Sequence, residues 1–151
     1  MMRILLFCLV SLITIGSSAQ TPKPVKWAYS VKATGKGTYT ITFTATMEPK
    51  WHTYSQFLAE GGPIPTSVTF DKENKDVTVN GKPTESGPKM HDGFDAIFGM
   101  SLKYYEEKMV IEQQLTVTKD TKVKVMVESM ACDDHQCLPP ETTTFEIELK
   151  K

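Results

Sequence analysis

Alternation with a period of two runs through most of this chain. It is clearest where Tyr39, Ile41, Phe43, Ala45 and Met47 are interleaved with Thr40, Thr42, Thr44 and Thr46. One face is apolar and the other is threonine, the pattern of a half-buried strand rich in β-branched residues. Trp27, Tyr29, Val31 and Ala33 alternate with smaller or polar residues just before it. Ser67 to Phe70 and Val77 to Val79 predict two more strands, the second closed by Asn80-Gly81, a strong turn signal. Met109, Ile111, Leu115 and Val117 alternate, as do Val123, Val125 and Val127, and Phe145, Ile147 and Leu149 end the chain.

There is no internal repeat and no helical periodicity longer than about two turns. Roughly seven short strands with Gly-, Pro- and Asn-rich breaks predict an all-β, immunoglobulin-like β-sandwich forming one domain. Two stretches read as long irregular segments, Glu48 to Thr66 and Lys82 to Ser101. Loops of that length in a small domain are often functional. They carry Trp51, Tyr54 and Phe57, and Phe94 and Phe98, rings that either plug the ends of the sandwich or line a site.

The first residues break the pattern. Arg3 precedes an apolar run from Ile4 to Ile15, and Ser17 and Ala19 follow in a Ser-x-Ala arrangement. That reads as a secretory signal peptide over residues 1–19, cleaved after Ala19. The run is shorter than the ~20 apolar residues a membrane span needs. Cys8 lies inside the apolar core behind Phe7, where a lipid-attachment signal wants a small residue, so it leaves with the leader. The predicted mature domain, residues 20–151, starts with a proline-containing segment, Thr21 to Lys26, and has no second apolar run, so no direct membrane insertion is expected. Without Arg3 it carries 16 basic and 18 acidic residues, a net charge of −2 that makes no electrostatic case for nucleic acid.

Two cysteines remain, in Met130 to Thr142, MACDDHQCLPPET. An even count in an oxidising compartment predicts a disulfide between Cys132 and Cys137. Asp133 to Gln136 suit a four-residue hairpin loop with the cysteines facing each other at its base, and Pro139 and Pro140 interrupt ladder pairing just beyond. Register from Val123 turns Cys132 away from the sandwich core, in line with Met126 and Met130, unless a bulge intervenes. Closing so small a ring removes little unfolded-state entropy, roughly 2 kcal/mol against about 4.7 for a 100-residue loop. That weighs against a mere staple and towards a pair that carries electrons. With Asp133 and Asp134 between the cysteines, neither thiol is expected to have a strongly lowered pKa. A soft-metal reading uses Cys132, His135, Cys137 and Met130, with His91 and Met90 from the second long segment, but it lacks a regular second ligand pair. No metal or other cofactor is expected.

Three stretches, ACDDHQCLPPET, HDGFDAIFGMSLKYYEEKMVI and KWHTYSQ, occur in the order in which the N-terminal periplasmic domain of the thiol:disulfide interchange protein DsbD carries similar segments, and the whole mature chain resembles that family. The resemblance implies an immunoglobulin-like sandwich acting in the periplasm. A Cys132–Cys137 dithiol would pass electrons to oxidised periplasmic thiol proteins and be re-reduced by the thioredoxin-like domain of a membrane electron relay. It implies protein-disulfide reductase-type chemistry with Cys137 as the attacking thiol and Cys132 as the resolver. It also implies a cap over the cysteines formed by Asp95, Ile97, Phe98 and Gly99, with Phe98 the shield although an ungapped match puts Ile97 at the family's cap phenylalanine. His52, Tyr54 and His135 would line the site. The chain departs from the best-known members in having four rather than five residues between the cysteines. The relay and the thioredoxin-like domain are not within these residues, so a separate membrane protein is expected to supply the electrons. The rival readings are a secreted binding module with a structural disulfide, and a copper-handling protein.

Overall fold

The threonine-faced run forms the centre of the molecule. The structure, a computed structural model, describes residues 22–96 and 98–151; the predicted signal peptide with Cys8, and Ile97 of the predicted cap, lie outside the described residues. Among these the chain is all strand and turn: β1 (Val25–Gly35), β2 (Thr38–Met47), β3 (His52–Tyr54), β4 (Ser67–Phe70), β5 (Val77–Ser86), β6 (Lys89–Asp95), β7 (Met100–Glu106), β8 (Lys108–Val117), β9 (Thr121–Ser129), β10 (Ala131–Cys132) and β11 (Glu141–Leu149). Every pairing is antiparallel.

Two sheets make the sandwich, one ordered β1-β2-β8-β5 and the other β11-β9-β4. Ile41, Phe43 and Ala45 of β2 and Met109, Ile111 and Leu115 of β8 are fully buried, and they meet Val123, Val125 and Val127 of β9 and Ile147 and Leu149 of β11. The apolar face of each period-two run therefore points inward, as alternation demands. Fully burying one such side chain is worth about 1.5–3 kcal/mol, so this stripe dominates the fold's stability. The edge strand β1 is tied across the sandwich by Trp27 Nε1, which donates to Ser129 Oγ at 2.9 Å. The architecture is an immunoglobulin-like β-sandwich.

Three sequence expectations change. Asn80-Gly81 does not end a strand: β5 continues to Ser86, and its register against β8 shifts between Asn80 and Thr84. Gly81 takes φ 67° there, so the dipeptide builds a bulge rather than a hairpin turn. The buried Gln113 of β8 donates from Nε2 to Asn80 O at 2.8 Å, satisfying a carbonyl at the bulge. The stretch from Lys82 to Ser101 is also not irregular, because most of it belongs to β5 and the β6–β7 hairpin.

The third change concerns Cys132. A small third sheet is ordered β10-β3-β7-β6. β9 stops at Ser129, and two residues later the chain pairs with β3 in this other sheet, Ala131 with Thr53 and Cys132 with His52. Cys132 does point away from the main core, but not to water. It is 1% exposed within a second apolar cluster with Tyr54, Leu102 and Met130.

Candidate active site

The cysteine hairpin is built by its own tip. Asp133 N donates to Gln136 O at 2.9 Å, and Asp133 Oδ1 accepts the backbone N–H of both His135 and Gln136 at 2.8 Å. An aspartate that bonds the backbone two and three residues on mimics a turn and fixes its direction. The His135 N–H bond, with help from Gln136, also holds the Asp133 carboxyl below its ordinary range. Leu138 N donates to Ala131 O at 2.8 Å, closing the stem. Cys132 and Cys137 thus pair across the base, Cα atoms 4.1 Å apart, joined by a disulfide. The two sulfur carriers differ in surroundings: Cys132 is buried, whereas Cys137 is exposed.

Beside the hairpin the third sheet lays out a row of rings. Register places Tyr54, Tyr104 and His91 side by side across β3, β7 and β6. His91 stacks on Tyr104 with centroids 4.7 Å apart and planes 13° apart, and His52 lies 4.5 Å from the same ring at 40°. His52 Nε2 is 3.2 Å from Tyr54 Oη, and His91 Nε2 is 3.4 Å from Glu106 Oε1. Burial lowers the pKa of His52, with Glu106, Asp134 and Asp133 opposing that shift, so the imidazole is neutral at pH 7. Burial, together with Asp95, pushes Tyr54 up to about 12.

The turn between β6 and β7 leans over the same place. Gly99 N donates to Asp95 O at 2.8 Å, Phe98 N donates to Asp95 Oδ1 at 3.0 Å, and Gly99 takes φ 65°. Phe98 and Asp95 line one recess of about 360 Å³ together with His52, Tyr54, Tyr104, both cysteines and the hairpin tip. Of the residues singled out from the sequence, Cys132, Cys137, His52, Tyr54, Asp95, Phe98 and His135 therefore come together, and Gly99 shapes the turn that holds Phe98.

Other expected residues lie elsewhere. Trp51 packs against the main core, and Phe57 and Phe94 are exposed. Met130 is buried beside Cys132, whereas Met90 is exposed on β6. Among the described residues no cluster of three or more His, Cys, Asp or Glu side chains is arranged to hold a metal. Tyr104 was not foreseen. Its signal was the alternation in SLKYYEE, which sends Tyr105 into the main core and Leu102 and Tyr104 to the opposite face. A separate apolar groove of about 280 Å³ lies behind the hairpin stem, walled by Pro22, Val25, Trp27, Leu138 and Pro139.

A β-sandwich that presents a hairpin disulfide in a recess of tyrosine, histidine and phenylalanine defines a thiol–disulfide interchange class of domain. The chain belongs to the family described as thiol:disulfide interchange protein DsbD, N-terminal, whose profile matches residues 19–149. Among solved structures it is similar to the DsbD N-terminal domain of Neisseria meningitidis in the reduced form. That match has 16% identity and a TM-score of 0.55, and it covers 84% of this chain and 86% of that one. It is also similar to the N-terminal periplasmic domain of ScsB from Proteus mirabilis, at 17% identity and a TM-score of 0.58, over 85% of this chain and 47% of that one. No curated protein sequence matches.

Proposed function

We propose that this chain is a periplasmic electron carrier that reduces disulfides in partner proteins through the Cys132–Cys137 pair. In the reduced state the Cys137 thiolate attacks one sulfur of a partner disulfide. The partner's S–S bond breaks, a Cys137–partner bond forms, and the second partner sulfur leaves as a thiolate and takes a proton. Cys132 then loses its proton and attacks Cys137 Sγ. The intramolecular disulfide forms, the mixed disulfide breaks, and two electrons have passed to the partner. The thioredoxin-like domain of a membrane relay restores the dithiol by the reverse exchange. The signal peptide reading and the likeness to a periplasmic domain of ScsB support the compartment. No helix among the described residues is long and apolar enough to cross a membrane.

The observation that carries this reading is the asymmetry of the pair. An exposed Cys137 is reachable by a docked disulfide, and a buried Cys132 beside it is reachable only by Cys137. The test uses single-cysteine variants. Cys132→Ser, which keeps Cys137, is expected to trap oxidised glutathione as a mixed disulfide at least about tenfold faster than Cys137→Ser. Equal trapping by the two variants would contradict the assignment of roles.

A further inference from the structure

Resolution of the mixed disulfide needs a proton to leave Cys132. That thiol sits in an apolar cluster with Tyr54, Leu102 and Met130, where water is a poor acceptor. The groups that line the recess differ in fitness for the task. Asp133 Oδ1 is engaged by two backbone N–H groups, and Asp95 Oδ1 receives the Phe98 N–H. Tyr54 is a phenol at neutral pH, and His135 stands exposed at the hairpin tip. His91 lies on the far side of the Tyr104 ring, next to Glu106. His52 combines position and chemistry. It is the direct cross-strand partner of Cys132, a relation that brings side chains to within about 4.5–5.5 Å at Cβ. Its ring is held between Tyr54 and Tyr104, and it lines the same recess as both cysteines.

We propose that the His52 imidazole accepts the proton of the Cys132 thiol as that sulfur attacks the Cys137 mixed disulfide, and returns it to the departing partner thiolate. Bonds and protons balance within the exchange: the Cys132 S–H bond breaks, the Cys132–Cys137 bond forms, and the Cys137–partner bond breaks. The proton carried on His52 then ends on the partner sulfur, so the imidazole is neutral before and after. The groups that tune it are its neighbours on every side: Tyr54 on β3, Tyr104 and Glu106 on β7, His91 on β6, and Asp133 and Asp134 on the tip. The partly buried ring is set to lose its added proton readily, which a base that must turn over requires.

The inference rests on the exchange reading above, and one experiment separates the two. Reduced protein is mixed with oxidised glutathione between pH 5 and 9, and the glutathione mixed disulfide and its release are followed by quenched mass spectrometry. The wild type is expected to release glutathione with a rate that falls below an inflection under pH 6.5. His52→Gln is expected, once its mixed disulfide has formed, to release glutathione at least about tenfold more slowly than the wild type near pH 7, without that inflection. His52→Tyr keeps a ring in place between Tyr54 and Tyr104 and removes the base, so it is expected to show the same defect without a packing defect. Release at the wild-type rate and pH profile in both variants overturns the role of His52 alone. A wild type that forms the mixed disulfide and never releases glutathione overturns the exchange reading as well.

Discussion

The backbone N–H of Phe98 donates to Asp95 Oδ1 at 3.0 Å, and both side chains line the recess that holds the cysteine pair. An aspartate that bonds the chain three residues on makes a short loop rigid without help from the core. Phe98 is accordingly fixed in place while still 36% exposed, as a side chain must be if it is to shield a site and later move. Phe98→Ala is expected to raise the rate at which the reduced pair reacts with a small disulfide by several-fold. Asp95→Ala, which frees the loop, is expected to act in the same direction. Stopped-flow reaction with oxidised glutathione checks both, and unchanged rates would mean that Phe98 does not gate access.

Glu85 anchors the site from beneath. Its side chain is 3% exposed and accepts from Ser55 Oγ at 2.5 Å, Gln56 N at 2.9 Å and Tyr105 Oη at 3.2 Å, with Lys103 Nζ 3.7 Å away. Ser55 and Gln56 directly follow the strand that carries His52 and Tyr54. Glu85→Ala leaves the buried Ser55 and Tyr105 hydroxyls and the half-buried Gln56 N–H without their acceptor, and it is expected to destabilise the oxidised protein by about 3 kcal/mol. Urea unfolding measures this. A loss within about 0.5 kcal/mol, the size of a neutral surface change, would show that the anchor is dispensable.

The half-buried His52 makes stability depend on pH with a definite sign. Burial lowers its folded-state pKa below the unfolded value of 6.5. Below that value the unfolded chain binds the proton first, so stability present above pH 6.5 is lost as pH falls through the folded pKa. His52→Tyr is expected to flatten this part of the stability profile, measured by denaturant melts of the oxidised protein between pH 4.5 and 8. A variant profile parallel to the wild type over that window would place the dependence on another group.

The sandwich was legible because its strands are long and one-sided. The interleaved threonines of Tyr39 to Met47 and the valines at 123, 125 and 127 each bury one face, and each took the orientation that alternation requires. The third sheet was not legible for the opposite reason. β3 and β10 are very short, and β6 carries His91, Asp92 and Gly93 with most of its side chains exposed, so no apolar stripe marks them as strands. Asn80-Gly81 misled because a positive-φ glycine serves a bulge as well as a hairpin turn. The cysteine hairpin could be read from local sequence, since Asp133 closes it with bonds spanning only two and three residues. The place of His52 opposite Cys132 could not, because the two are brought together only by the passage of the chain from β9 into another sheet.

The central claim is that the Cys132–Cys137 pair cycles. The most direct measurement is its reduction potential, by equilibration against glutathione and dithiothreitol. A value between about −180 and −270 mV, the range of working oxidoreductases, is predicted. A value below about −300 mV, where structural disulfides lie, would contradict the account and leave the pair as a staple in a binding module.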